Sequence, residues 1–183
     1  AVKAAQTRYG SRAGAEKLER GEVSGDRLGE TEAAFIEARD GFYQATVTQD
    51  GWPYVQFRGG RAGFLKVLDE RTIAYADFRG NVQYLSAGNL ADNDRVALIL
   101  MDYANRARLK VWARARIVHR EDEPELLARL EDPTYRAKVE RAVVMTIEAL
   151  DWNCPQHITP RYTQSEIEQL VAPLQNRIAE LEG

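Results

Sequence analysis

Residues 51–90 read GWPYVQFRGG RAGFLKVLDE RTIAYADFRG NVQYLSAGNL, and this stretch carries the strongest fold signal in the chain. Short apolar runs that suit β-strands alternate in it with turns rich in glycine and arginine. At its end, residues 78–81 lead into a helical pattern formed by Val82, Leu85 and Leu90. A helix start with unpaired backbone N–H groups, a glycine and a guanidinium group suits a phosphate. The stretch therefore predicts a site for a phosphorylated cofactor.

The chain before this stretch predicts an arm, a helix and a β-hairpin. Residues 1–30 are poor in large apolar side chains and indicate either a loosely attached helical arm or a flexible leader. Residues 30–39 have the pattern of a short amphipathic helix, with Thr31 as its N-cap. Residues 42–48 and 54–58 predict the two strands of the hairpin, which would be neighbours in a sheet.

Strands also dominate the chain after the first hairpin. The continuous apolar run at residues 95–101 predicts a strand that is buried on both faces. Residues 109–118 alternate between apolar and polar side chains, which is typical of one wall of an antiparallel barrel. β-Branched residues favour a strand over a helix at residues 139–150. The other predicted elements are strands at 64–68 and 72–77 and a helix at 122–130.

A last helix begins at Thr163 and carries an apolar stripe along one face. Pro173 lies inside this helix and predicts either a kink or the start of a second segment. The stripe favours packing, either on the barrel or against a second subunit. Its members are Ile167, Leu170, Val171, Leu174, Ile178 and Leu181.

Composition limits the class of protein. The 183 residues suit one domain, and an apolar fraction of 44% provides a sizeable core. A net charge of −3 argues against a nucleic-acid partner, which usually requires a basic surface. No apolar run approaches the ~20 residues that span a bilayer, and no signal-peptide pattern opens the chain, so we expect a cytoplasmic protein without a membrane partner.

The small numbers of cysteine and histidine residues argue against a disulfide and a metal site. Cys154 is the only cysteine, so no internal disulfide can form, and a lone cysteine is usually a packing residue. His119 and His157 are too few and too far apart in sequence to predict a metal site. A Gly-x-Gly-x-x-Gly fingerprint at a strand–helix junction is also absent from the sequence, so no resident nicotinamide cofactor is predicted.

The sequence resembles the FMN-binding split-barrel family that includes pyridoxamine 5′-phosphate oxidase. The resemblance is carried by Arg58, FLKV at 64–67, IAYAD at 73–77 and NLADNDRVAL at 89–98, and it extends more loosely over residues 42–157. It implies an α+β fold, mainly antiparallel, in which a split β-barrel has peripheral helices and a C-terminal helix. The implied domains are an N-terminal arm at 1–30, the split barrel at 31–162 and the C-terminal helix at 163–183.

The resemblance implies that FMN is the cofactor and indicates where its phosphate binds. Arg79, Gly80 and Asn81 are the first candidates for the phosphate, with Arg58 and Lys66 behind them. Other interpretations stay open for three of these residues. Asn81 suits an ordinary N-cap, Arg58 suits a solvated strand position, and simple alternation points Lys66 outward.

Further residues are implied around the rest of the flavin. The backbone of Ala76 and Asp77 would meet the ring edge or the ribityl chain, and Tyr84 and Ser86 would add hydroxyl groups. The family's second basic pair for the phosphate is replaced here by the neutral Val82 and Gln83.

Two segments could lie close to the ring. Three glycines at residues 59–63 indicate either a mobile connection or, given the resemblance, room over one face of a flat ring. The late segment at 152–157 would close over the flavin of a second subunit. In this segment Trp152 and Gln156 are the candidate contacts, and His157 is a weak catalytic candidate as a proton donor or stacking group.

The resemblance therefore predicts a homodimeric flavoprotein with the flavin at the subunit interface. We expect an oxidoreductase that passes electrons from reduced flavin to oxygen or a small organic acceptor. True pyridoxamine-phosphate oxidase activity is not expected, because residues 152–160 lack the arginine that would bind the substrate phosphate. The alternatives are a non-enzymatic protein that stores or senses flavin or haem, or an apo structural dimer. A deazaflavin F420 cofactor would favour a more basic groove.

Overall fold

The structure, a computed structural model, describes residues 1–19, 25–152 and 155–182. In these ranges seven antiparallel strands form one sheet, and six helices surround it. The strands are β1 (Gly41–Val47), β2 (Pro53–Gly59), β3 (Leu65–Asp69), β4 (Thr72–Phe78), β5 (Arg95–Asp102), β6 (Ala107–Val118) and β7 (Val139–Trp152). The helices are α1 (Val2–Arg8), α2 (Arg12–Glu19), α3 (Glu30–Glu37), α4 (Leu85–Asp92), α5 (Pro124–Leu130) and α6 (Gln164–Glu182).

The sheet curls around a single main core without closing. Its strand order is β2-β1-β5-β6-β7-β4-β3, so three strands separate β1 from β4. Phe42 of β1 nevertheless stacks on Phe64 with 5.6 Å between ring centroids, and it meets Tyr75 of β4 edge-on at 5.4 Å. The edge strands β2 and β3 do not pair with each other in the described chain. This open, curled sheet confirms the predicted split barrel.

Alternation of side chains builds the barrel wall as predicted for β6. Leu109, Val111 and Ala113 are buried in the core, whereas Trp112 and Arg114 point outward. Apolar burial on the inner face supplies the main driving force for this arrangement.

Strand β5 corrects one expectation. It alternates like β6 instead of being buried on both faces, with Leu98 and Leu100 inside and Ile99 39% exposed. Its neighbours on the outer face, Tyr43 and Trp112, are 40% and 42% exposed. The continuous apolar run therefore reflects an apolar outer surface as well as a core.

Helix α3 begins two residues earlier than a Thr31 N-cap would require. Gly29 is the N-cap, and its N–H donates a hydrogen bond of 3.0 Å to the Glu32 carboxylate. This contact satisfies a backbone donor at the helix start, so Thr31 is already inside the helix. The helix places Ile36 in the core.

Helix α4 begins at Leu85, three residues after the predicted start at Val82. Val82 and Tyr84 have φ values of 58° and 53°, which are left-handed and incompatible with a right-handed helix. Asn81 is not an N-cap: its side-chain oxygen accepts the Gln83 N–H at 3.2 Å and supports the turn before the helix. The loop 79–84 is therefore irregular backbone.

The N-terminal arm is helical over α1 and α2, and α1 buries no residue. Its last part is fixed to the barrel by the backbone. The Leu28 N–H donates to the Glu70 carbonyl at 2.7 Å, and the Leu150 N–H donates to the Gly25 carbonyl at 2.6 Å. The chain thus joins the barrel at residues 25–28.

Helix α6 is continuous, so the alternative of a second segment at Pro173 is wrong. Thr163 and Glu166 form a reciprocal cap, in which the Glu166 carboxylate accepts the Thr163 N–H at 2.7 Å and Thr163 Oγ1 accepts the Glu166 N–H at 3.3 Å. All six members of the apolar stripe remain exposed, so the helix does not pack on its own barrel. None of the described helices is both long enough and apolar enough to cross a membrane.

Candidate functional site

The candidate site lies at the opening of the barrel, where side chains of β2 and β4 meet without backbone pairing. Arg58 of β2 forms an ion pair of 2.7 Å with Asp77 of β4 across this opening. A cavity of about 40 Å³ adjoins the pair. Its lining residues are Tyr54, Gln56, Arg58, Asp77, Phe78, Gly80, Asn81, Val82, Gln83, Tyr84, Leu85, Ser86, Ala87, Glu140 and Arg141.

Asp77 is the electrostatic centre of the site. Its side chain is only 10% exposed, and Arg141 Nε lies 3.3 Å from its second oxygen. Burial raises the pKa of Asp77 above its ordinary value, while the nearby Arg58 and Arg141 guanidinium groups act in the opposite direction. Two cations therefore share one buried carboxylate.

A β-bulge brings two consecutive residues of β7 to the cavity. Asp77 lies opposite Arg141 and Phe78 lies opposite Val139, which leaves Glu140 as the extra residue. Because the strand bends there, both Glu140 and Arg141 line the cavity, although neighbours on a regular strand point to opposite faces.

Glu140 collects several hydrogen bonds at the cavity rim. Arg141 donates to it at 2.6 Å, and the Tyr84 hydroxyl donates at 3.1 Å. Burial acts to raise the pKa of Glu140, but the hydrogen bonds from Arg141 and Tyr84 and the charges of Arg141 and Arg79 lower it overall. Arg79 Nε lies 3.7 Å away, and the Arg79 side chain is 52% exposed. Glu140 is therefore held as a carboxylate by its neighbours.

The start of helix α4 supplies backbone donors to the same cavity. Among the described residues no side chain caps this helix, and its first residues, Leu85, Ser86 and Ala87, line the cavity. N–H groups in the first turn of a helix have no intrahelical acceptor and favour an anion. Ser86 Oγ donates to Gln56 Oε1 at 2.9 Å, which joins the helix start to β2.

Two guanidinium N–H groups in the cavity wall also lack a well-aligned acceptor, although Arg141 Nε lies 3.3 Å from an Asp77 oxygen. The Nε atoms of Arg58 and Arg141 are buried and make no hydrogen bond within the described residues. Buried donors without partners are uncommon in folded proteins. Together with the uncapped helix start, they form a donor set that fits a phosphate group.

The predicted cofactor residues of the 51–90 stretch divide between four places. Six predicted residues line the cavity: Arg58, Asp77, Gly80, Asn81, Tyr84 and Ser86. Arg79, the first candidate, sits at the rim in its ion pair with Glu140. Lys66 lines a separate cavity of about 120 Å³ beside Arg61 and Tyr135. Ala76 is buried on the side of the sheet that packs against α5.

The described part of the late segment lies away from the cavity in this chain. Trp152 Nε1 donates to Glu32 at 2.7 Å and its ring meets Phe35 edge-on at 4.8 Å, and the hydrogen bond lowers the pKa of Glu32. Eleven residues of β7 lie between Glu140 and Trp152, a length along the strand of roughly 40 Å. The exposed Gln156 and His157 follow Trp152, and none of the three lines the cavity in this chain. Cys154 lies outside the described residues.

The glycines at 59–63 accommodate side chains of this chain. A Cβ atom on Gly59 would lie 2.8 Å from the Phe57 ring, and a Cβ atom on Gly60 would lie 2.7 Å from the Phe64 ring. Gly63 has a left-handed φ of 82°. The space that the sequence suggested for a flat ring is thus occupied by Phe57 and Phe64.

Sequence reasoning missed three polar residues of the site: Gln56, Glu140 and Arg141. A signal for two of them was present, because Glu140 and Arg141 are adjacent charges at the start of an otherwise apolar run. Gln56 gave no such signal, since a polar side chain on a hairpin strand usually faces water.

A wider groove of about 780 Å³ lies between the barrel and the start of α6. Its arginines are engaged with this chain's own groups. Arg39 pairs with Asp102 at 3.1 Å, Arg61 pairs with Asp132 at 3.3 Å, and Arg161 lies over the Tyr103 ring at 5.0 Å. The groove therefore offers a weaker anion site than the cavity at the barrel opening. Across the described chain, no three His, Cys, Asp or Glu residues are grouped to hold a metal ion.

Comparison with solved structures places this architecture among known split barrels. HupZ from Group A Streptococcus superposes with a TM-score of 0.57 at 15% identity, covering 74% of this chain and 99% of HupZ. An FMN-binding protein from Syntrophomonas wolfei gives a TM-score of 0.52 at 14% identity, covering 81% of this chain and 97% of its own. An F420 reductase gives 0.50 at 19% identity, covering 68% and 98%. At these identities the likeness shows the fold alone.

The family is shown by the sequence. No curated protein matches the chain. The model of the pyridoxamine 5′-phosphate oxidase family, however, matches residues 28–152, which is more than half of the chain and includes every strand. The protein therefore belongs to the pyridoxamine 5′-phosphate oxidase family.

Proposed function

We propose that the protein is a homodimeric FMN-binding oxidoreductase that passes electrons from reduced flavin to oxygen or a small organic acceptor. The observation that carries this proposal is the uncapped start of α4, which lines one cavity together with Arg58 and Arg141, whose buried Nε atoms make no hydrogen bond within the described residues. Membership of the family and the likeness to an FMN-binding protein support the choice of cofactor.

The residues of the opening have separable roles in this proposal. The backbone N–H groups of Leu85, Ser86 and Ala87 and the two guanidinium groups bind the phosphate. Ser86 and Gln56 offer a hydroxyl and an amide to the polar ribityl chain. Asp77 and Glu140 hold the arginines in position. A bound flavin supplies the redox chemistry, and the protein orients it and controls its surroundings.

The second subunit completes the site in this proposal. Small-molecule pockets usually measure roughly 300–1,000 Å³, whereas the cavity of one protomer measures about 40 Å³. Exposed aromatic side chains on the outer sheet face, including Tyr43, Phe57 and Trp112, favour a partner there. Trp152, Gln156 and His157 would reach the flavin only from the partner, with His157 as the candidate proton donor.

Binding of FMN and of riboflavin separates the phosphate from the ring. We expect purified protein to show flavin absorbance bands and to bind FMN more tightly than riboflavin. Arg141→Met should weaken FMN binding by about 10- to 100-fold, because a hydrogen bond to a charged group contributes ~1.5–3 kcal/mol. The same change should leave riboflavin binding within about threefold.

The matched control is Arg116→Met, since Arg116 is exposed and its ion pair within the described residues is with Glu123 at 2.6 Å. Thermal unfolding without flavin checks that both variants fold. A colourless protein that rejects added FMN, or an Arg141→Met variant with unchanged preference for FMN, contradicts the proposed site. Reduction of the bound flavin by NADH or NADPH, followed by reoxidation in air, tests catalysis. A protein that holds FMN without turnover would be a carrier or sensor.

A further inference from the structure

Helix α6 carries an apolar seam that the barrel leaves uncovered. Along its exposed face, five apolar side chains follow one another at intervals of four, three, four and three residues. Between 37% and 71% of each side chain is exposed. They are Ile167, Val171, Leu174, Ile178 and Leu181.

This spacing is that of the a and d positions of a heptad repeat. Val171 and Ile178 occupy a positions, while Ile167, Leu174 and Leu181 occupy d positions. A repeat of 3.5 residues keeps the seam facing one partner helix along its length. β-Branched residues at a with leucine at d favour a parallel pair over larger bundles, and here both a residues are β-branched.

The rest of the helix agrees with this assignment. No charged residue stands at an a or d position between residues 167 and 181. Pro173 falls at position c, and the polar Gln169 and Asn176 fall at f, so these residues face away from the seam. Arg177, at the flanking g position, already pairs with Glu180 at 2.8 Å on the helix surface. The helix can therefore accept a neighbour along the seam without burying a charge.

A second copy of the same helix fits this surface better than an unrelated protein. A twofold contact requires a surface that is complementary to itself, and a parallel a/d seam has this property because each residue faces its own counterpart. Six exposed apolar side chains from each helix, including Leu170 beside the seam, would bury on the order of 1,000 Å² in total. That area is close to the lower limit of specific interfaces, so the helices would reinforce contacts between the barrels.

We propose that α6 pairs in parallel and in register with α6 of a second copy, as a two-stranded coiled coil. This proposal rests on the homodimer of the proposed function and adds to it a second dimer contact, the helix pair, which does not depend on the flavin. Loss of the helix pair and loss of FMN binding can therefore be observed independently of each other.

Disulfide cross-linking in the full chain tests both partner and orientation. In a Cys154→Ser background, Val171→Cys and Ile178→Cys should each give a covalent dimer on mild oxidation, because a residues face their own counterparts across the axis. The matched control, Asn176→Cys at an f position, should remain monomeric on a denaturing gel. Flavin absorbance of each variant should stay at the level of the Cys154→Ser protein.

Failure of both a-position variants to cross-link would overturn the proposal. An antiparallel pair would instead bring a positions of one helix against d positions of the other. A covalent dimer that forms only when an a-position variant is mixed in equal amount with Leu174→Cys would therefore overturn the stated orientation. As a second measurement, sedimentation at decreasing concentration should show the dimer of Leu174→Asp dissociating at least 10-fold more readily than that of Asn176→Asp. Equal dissociation of the two variants would also overturn the proposal.

Discussion

Among single residues, Tyr75 and Gln44 set a polar contact in the middle of the apolar core. Both side chains are almost fully buried, and the Tyr75 hydroxyl donates to Gln44 Oε1 at 2.8 Å. Burial raises the pKa of Tyr75, so its hydroxyl stays protonated and remains a donor. Gln44 Nε2 has no partner in the described residues. The contact joins β4 to β1 across the interior of the barrel.

Removing only one partner of this hydrogen bond should destabilise the protein. Tyr75→Phe leaves Gln44 Oε1 buried without a donor, which should lower the free energy of unfolding by about 1–3 kcal/mol in urea denaturation. The double variant Tyr75→Phe/Gln44→Leu should lose less than the sum of the single variants, because it leaves no unpaired group. Tyr9→Phe, at a side chain 78% exposed, is the control. If the losses of unfolding free energy in the two single variants add up to the loss in the double variant, Tyr75 and Gln44 are not coupled.

Among the elements, the loop before α4 stores backbone strain. Val82 adopts a left-handed φ of 58°, which a β-branched residue tolerates poorly, and its side chain is 48% exposed. Val82→Asn should therefore raise the free energy of unfolding by about 1 kcal/mol, since asparagine accepts this conformation. Urea denaturation measures the change. Val55→Asn, at an exposed site on the extended strand β2, should not stabilise the protein, and stabilisation at both sites would refute the role of φ.

The same loop shows where the sequence could and could not predict the structure. Strands such as β6 were predictable because alternation and turn residues are local signals. The start of α4 was not, because the spacing of Val82 and Leu85 imitates a helix while the left-handed residues that interrupt it leave no such pattern. The same limit applies to the site. Residues of the 51–90 stretch were found, whereas Arg141 reaches the cavity through long-range pairing and a bulge.

For the whole molecule, the Arg58–Asp77–Arg141 cluster links pH to stability. Because burial raises the pKa of Asp77 above 3.8, the folded protein keeps this proton at pH values where the unfolded chain has lost it. Ionisation of Asp77 therefore reduces the free energy of unfolding as the pH rises from below 3.8 through the raised pKa. The arginines limit this loss, since both act to lower the pKa.

Removing one of these cations should raise the pKa further. In Arg58→Met, the carboxyl ¹³C resonance of Asp77 should titrate at a higher pH than in the parent protein, and the fall in stability should extend to higher pH. Arg61→Met, whose guanidinium pairs with Asp132, is the control. An Asp77 resonance that titrates at or below 3.8 in the parent protein would contradict the predicted direction.

The Arg58–Asp77 contact crosses a side of the barrel where β2 and β4 have no backbone pairing. Six strand pairs hold the sheet together through backbone hydrogen bonds. The gap between its two margins, by contrast, is bridged at β2 and β4 by this ion pair. Adding a single proton to Asp77 would remove the negative charge from this contact and leave all six ladders intact. The charge of Asp77 therefore acts on the gap between the two margins and not on the strand pairing.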